Sequence, residues 1–144
     1  MPASTRDALV ARLEAHADDL GLADVVPSSV GQFQEAVRKA KNLGQKSPAA
    51  FVTGLASRLD RNGSRARLAV LLFVRDRGLS DTADVDAAAL AEGLGHWLLD
   101  NAAWTADGST YCVVEGEPVS VEPFGTAAAY AIYAVAVTVD HLQP

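Results

Sequence analysis

The chain has 144 residues, one cysteine and a formal net charge of −6. A single domain of this length buries roughly two-thirds of its unfolded surface and needs no covalent staple. Lone Cys112 excludes an internal disulfide framework and a multi-cysteine zinc site, and the acidic balance weighs against a general nucleic-acid binder, which carries a basic face. The opening Met-Pro-Ala-Ser-Thr-Arg-Asp lacks the apolar core of a signal peptide. The last apolar stretch is too short to span a bilayer as a helix. The expectation is one domain over 1–144, soluble and unsecreted, in a reducing compartment.

The first predicted element is an amphipathic helix. Ser4 and Asp7 form a capping box, Leu9, Leu13, Ala17 and Leu20 recur at helical spacing, and Gly21 ends the run. Val25, Val26 and Pro27 break the pattern. A second capping box, Ser29 to Gln32, opens a short helix striped by Val30, Phe33, Val37 and Ala40 that stops near Gly44. Arg38, Lys39, Lys41 and Lys46 gather at its end. Favourable interaction with the helix C-terminus accounts for them, and a binding patch is the alternative.

Pro48 opens a strand over Ala49–Ala56, a position where proline is tolerated. Asp60-Arg-Asn-Gly-Ser64 carries a hairpin signal, and the return strand runs over Arg65–Arg75. Ala66, Leu68, Val70, Leu72 and Val74 give it one wholly apolar face. Its other face, with Arg65, Arg67, Ala69, Leu71, Phe73 and Arg75, is solvated at both ends and apolar between.

A long helix begins near Val85, where Asp81, Thr82 and Asp84 are competent caps. Leu90, Leu94, Trp97 and Leu98 form the stripe of a helix lying on a sheet. Gly93 and Gly95 weaken it and suggest close approach of another backbone. After Trp104 and a turn at Ala106–Ser109 come strands around Thr110–Val114 and Pro118–Glu122. Pro123-Phe-Gly125 then turns the chain into a final strand. That strand has Tyr133, Val135, Val137 and Val139 on one face and Tyr130, Ile132, Ala134, Ala136 and Thr138 on the other. Both faces are apolar, so both need covering. The order of elements predicts an α+β fold, an antiparallel sheet of about four strands packed by two or three helices.

No residue set asks for catalysis, a cofactor or a metal. Asp81, Asp84 and Asp86 lack the glycine and terminal glutamate of a calcium loop and are better read as caps. His16, His96 and His141 share no ligand spacing. Gly-x-Ser-x-Gly is absent, and Gly93-x-Gly95 lies inside a helix, where it cannot cradle phosphate. Cys112 falls in an apolar strand, where a buried inert thiol is the common case. What remains is apolar surface in excess of what one helical layer covers, a mark of a partner interface, most simply with another copy.

The run Asp7-Ala-Leu-Val-Ala-Arg-Leu13, the proline-led strand Ser47-Pro-Ala-Ala-Phe-Val52 and the polar hairpin turn come in an order that resembles a known family. They are followed by Leu68-Ala-Val-Leu-Leu-Phe-Val-Arg75, a long helix ending in Trp97-Leu-Leu99, and an apolar strand close to the C-terminus. Together they resemble the tail-terminator proteins of contractile-tailed phages, in particular those of Mu-like prophages. One departure is Ser80–Asp86, which lacks a glycine-aromatic pair common before the long helix in that family. The resemblance implies a non-enzymatic ring, typically a hexamer, that caps the tail tube, stops its growth and offers a docking face to the head or neck. The implied partners are further copies of the chain, the tail-tube protein, and sheath or head-neck connector proteins, with no specific nucleic acid and no membrane. The implied location is the neck end of the virion tail, after assembly in the host bacterial cytoplasm.

Arg38, Lys39, Lys41, Lys46, Arg58, Arg61, Arg65 and Arg67 are the candidate partner or inter-subunit contacts. The net negative charge would keep a lumen from holding DNA, since like charges repel; a lumen lined mainly by Arg58, Arg61, Arg65 and Arg67 would overturn that expectation. The competing reading is a small ligand-binding or enzymatic α+β domain, its pocket between sheet and helices lined by Trp97, Trp104, Tyr111 and His96. An adaptor for one unrelated protein is a third.

Overall fold

The computed structural model describes residues 4–27, 48–61, 63–75, 83–106, 108–114, 119–127 and 130–142. The expected second helix, with Arg38, Lys39, Lys41 and Lys46, lies outside them. Helix α1 spans Thr5–Ala15 and a single turn, α2, spans Ala17–Leu20. Ser4 caps α1 as its spacing predicts, its hydroxyl accepting from the Asp7 N–H at 3.1 Å. Gly21 ends α2 at φ 75°, a left-handed conformation that costs other residues strain. Strand β1 is Asp24–Pro27, β2 Ala49–Asp60 and β3 Gly63–Arg75; helix α3 is Ala83–Asp100; β4 is Ala103–Ala106, β5 Ser109–Val113, β6 Ser120–Ala127 and β7 Tyr130–Leu142.

The strands form one strongly curled mixed sheet in the order β1-β2-β3-β7-β5-β4, with β6 also paired to β7. This is wider than the expected four strands, and it is not wholly antiparallel. Three of the differences have local causes. Strand β1 is only four residues long and ends at a proline, so it carries no alternation to read; it runs parallel to β2, Val25 beside Ala50 and Val26 beside Phe51. Strand β4 holds Trp104 and pairs with β5 through Trp104–Tyr111. Strand β6 does not turn at Pro123 but continues to Ala127, its register against β7 shifting between Pro123 and Gly125. Proline is tolerated there because β6 pairs only with β7 among the described residues and the register shifts at that point.

The centre of the sheet is β3 against β7, paired from Gly63–Leu142 to Arg75–Tyr130. The period-two reading of both strands holds. On one face Leu68, Val70, Leu72, Val135, Val137 and Val139 join Leu9 and Leu13 of α1 and Leu94 and Leu98 of α3 in the main core. Burial of each such aliphatic side chain contributes about 1.5–3 kcal/mol. On the other face Phe51, Phe73, Tyr130 and Ile132 form a second buried cluster with Ala49 and Leu71. Its rings meet edge to face, Phe51–Phe73 at 5.0 Å and Phe73–Tyr130 at 5.8 Å, the arrangement that the ring quadrupoles favour.

Two glycines separate backbone need from helix cost. Gly63 has φ 154°, and a side-chain carbon there would land on the His141 carbonyl of β7. Gly93 is exposed on α3 with nothing near it, whereas Gly95 packs against the side chains of Val119 and Val121. Among the described residues neither helical glycine meets another backbone. Gly63→Ala should lower the unfolding free energy by about 3 kcal/mol or more. Gly93→Ala should raise it by about 1 kcal/mol. Urea denaturation followed by circular dichroism checks both.

Candidate functional site

The hairpin β2–β3 outruns the helices that cover the rest of the sheet. From Leu55 to Leu59 every residue of β2 is exposed, on both faces of the strand. A register shift between Gly54 and Ala56 bends β2 at the point where it leaves the core. Beyond it Arg58 stands directly opposite Arg65, and Arg65 directly opposite Asp140. Beyond this shift the pairing with Arg65 puts Arg58 on the outer face with Arg65 and Arg67, away from α1 and α3.

Only part of this positive charge is answered. Arg65 binds Asp140 through two bonds, Nε to Oδ1 at 2.8 Å and Nη2 to Oδ2 at 3.1 Å. Arg67 donates to the Thr138 hydroxyl at 2.9 Å. Arg58 and Arg61 are exposed, and neither has an ion pair among the described residues. Like charges directly opposite on a sheet oppose pairing, so Arg58 against Arg65 weakens the hairpin of an isolated chain.

Beside the pair lies an open depression of about 530 Å³, lined by Arg58, Leu59, Gly63, Ser64, Arg65, Asp140, His141 and Leu142. Leu59 is 83% exposed, and Leu55 and Leu142 are each 49% exposed. Of the eight basic residues singled out in the sequence, the structure therefore brings together Arg58, Arg65 and Arg67, and sets Arg61 in the adjoining turn.

The aromatic candidates also meet, but as packing. Trp104 stacks on Tyr111 at 5.4 Å, and Tyr111 stacks on His141 at 4.5 Å. Arg12 of α1 closes the row, its guanidinium 4.6 Å from the Trp104 ring and 5.0 Å from that of Trp97. It also donates to the carbonyls of Asn101 at 2.9 Å and Ala103 at 3.3 Å. Burial lowers the Arg12 pKa from its ordinary value by desolvation. His16 meets the far side of Trp97 at 5.1 Å.

The stack leaves Arg12 Nε, Trp104 Nε1 and His141 Nε2 buried without a hydrogen-bond partner, a cost that the ring-face contacts offset in part. His96 is exposed on α3, apart from the row. Arg12 and His141 were not singled out in the sequence as members of this group. The signal for His141 was present: it continues the alternation Val135, Val137, Val139.

Cys112 is half-buried on the outer face opposite Asp140, and its thiol meets the Val113 carbonyl at 3.3 Å; it is less enclosed than expected. Among the described residues no group of three His, Cys, Asp or Glu side chains could hold a metal ion. No helix among them is long and apolar enough to cross a membrane.

No family model matches the sequence, and no curated protein does. Among solved structures, a chain whose name states no function is similar over 96% of this chain and 94% of its own, with a TM-score of 0.51 and 18% identity. At that identity the likeness extends to the fold alone.

If Arg12 locks α1 to the end of α3 and to β4, Arg12→Leu should cost about 2 kcal/mol, since a charged donor loses its carbonyls and two indoles lose a cation. Equilibrium unfolding gives the free energy. A shift of tryptophan emission in the folded variant would report the loosened stack.

Proposed function

We propose that this protein is a structural, non-enzymatic ring component of a contractile phage-type tail, acting as tail terminators do: it caps the finished tube, ends its elongation and presents a docking face to head or neck proteins. The observation that carries this reading is the exposed end of the β2–β3 hairpin. There leucine and arginine side chains stand together outside the chain's own core. Arginine is enriched in protein interfaces and exposed lysine and glutamate are depleted there. Large aliphatic side chains in water are costly unless a partner covers them.

A surface of this kind suits repeated contact between copies. A contact of one surface with a different surface on the next copy generates a closed ring when its rotation closes. The tightly paired central strands β3 and β7 supply a rigid wall for such a ring. The loops at either end of the sheet would then meet the tube on one side and the connector on the other. The working location is the neck end of the tail, and the working partners are other copies of the chain, the tube protein, and sheath or connector proteins.

Negative-stain imaging with light scattering of the purified protein, alone and mixed with contractile tail tubes, tests the reading. The expected result is rings in solution, or caps at one end of each tube. A persistent monomer that leaves the tubes bare would overturn it.

A further inference from the structure

Among the described residues four large hydrophobic side chains are exposed: Leu55, Leu59, Leu142 and Leu99. The first three flank the arginines at the hairpin end. Leu99, 51% exposed, lies on the outward stripe of α3, where the charges have the opposite sign. Asp86, Glu92 and Asp100 are exposed on that helix, and no lysine or arginine lies between Ala83 and Asp100. The two patches thus match in kind, each an aliphatic centre edged by charge, and are complementary in sign.

They cannot satisfy each other within one molecule. Helix α3 covers one face of the sheet through Leu94 and Leu98, and its acidic stripe points away from that face. Arg58, Arg65 and Arg67 stand on the opposite face. Arg58 and Arg61, exposed and without an ion pair among the described residues, add a reason for an external carboxylate. Gly93 adds another: it is an exposed helical glycine with no contact among the described residues to explain it, on the same side of α3 as Asp100, two turns on. Without a side chain it lets a neighbouring strand come close to the helix.

We propose that the hairpin end of one copy, centred on Arg58, Leu59 and Arg61, docks on the outward stripe of α3 in the next copy, between Glu92 and Asp100 and over Gly93 and Leu99. This deepens the ring reading above and rests on it. The contact joins two different surfaces, so each copy has one of each to offer, as a closed ring requires. It also places the arginines between subunits, which leaves a lumen free of them. A nucleic-acid phosphate backbone is the less fitting occupant, because it would leave Leu55, Leu59 and Leu142 in water.

A charge exchange tests the contact. One variant carries Arg58→Glu and Arg61→Glu; the other carries Glu92→Arg and Asp100→Arg. All four positions are exposed, and circular dichroism checks that each variant folds. Assembly is read by sedimentation velocity in solution and by capping of tail tubes. Either variant alone should associate at least about tenfold more weakly than the native chain. An equimolar mixture should recover assembly, because each altered surface then meets its altered counterpart on an alternating neighbour.

Added salt should weaken the native contact. If the native chain assembles and the variants assemble equally well, the contact is overturned while the ring reading stands. Loss in both variants without recovery on mixing also overturns the pairing. A native chain that associates neither in solution nor on tubes overturns both. Should a reversal unfold the chain, Arg58→Gln with Arg61→Gln is read instead, with about a tenfold loss expected and an unchanged affinity counting against the contact.

Discussion

Pairing of β3 with β7 is the constraint on which the remaining structure depends. Each is a 13-residue strand, and the two are in register along their whole length, from the hairpin turn to Arg75. Both are apolar on both faces through their middle. A pair of this kind cannot stand at the edge of a sheet or face water on either side. It forces β2 to one flank and β5 and β6 to the other, and it draws α1 and α3 onto one face. The second face buries an aromatic group at one end, and toward the hairpin it gives way to arginine. The gradient along that outer face, from Phe51, Phe73 and Tyr130 to Arg65 and Arg67, is written in the alternation of β3 itself.

The two clusters of functional interest differ in what holds them together. The Arg12, Trp97, Trp104, Tyr111 and His141 row is held by stacking and by carbonyl bonds at the end of α3. It fixes the helical layer to the short strands β4 and β5. The hairpin end is the reverse. Arg65 and Arg67 bond to β7, Leu55, Leu59 and Leu142 meet solvent, and Arg58 and Arg61 have no ion pair among the described residues. The first is packed inside the fold, with three of its nitrogens left without a hydrogen bond; the second carries exposed leucine and arginine.

Charge distribution sharpens the contrast. A net charge of −6 reads as uniform mild acidity when only the total is considered. Among the described residues the exposed acids of α1, α2 and α3 share one layer with two arginines. Of these, Arg6 is paired with its neighbour Asp7, and Arg12 is enclosed in the stack. The hairpin keeps a positive end on the far side of the sheet. Such a molecule has a direction, and like copies can align head to tail, whereas a uniform charge would only keep them apart.

The sequence by itself determined the strands and helices whose pattern is long enough to repeat: α1 with its Ser4 cap, the β2–β3 hairpin, the stripe of α3, and both faces of β7. Period and punctuation suffice there, because burial on a known face leaves one register. It also named Arg58, Arg65 and Arg67, though not their common face with Asp140. Only the tertiary structure decided the rest. β1 and β4 are too short to carry alternation and exist because β2 and β5 offer them an edge. β6 passes through Pro123 because, among the described residues, it pairs on one side only and shifts register there. Arg12 became part of an aromatic row only when α1 was set against the end of α3. Sign and exposure of a surface depend on which faces the sheet turns toward its helices, and that is settled by packing between segments far apart in the chain.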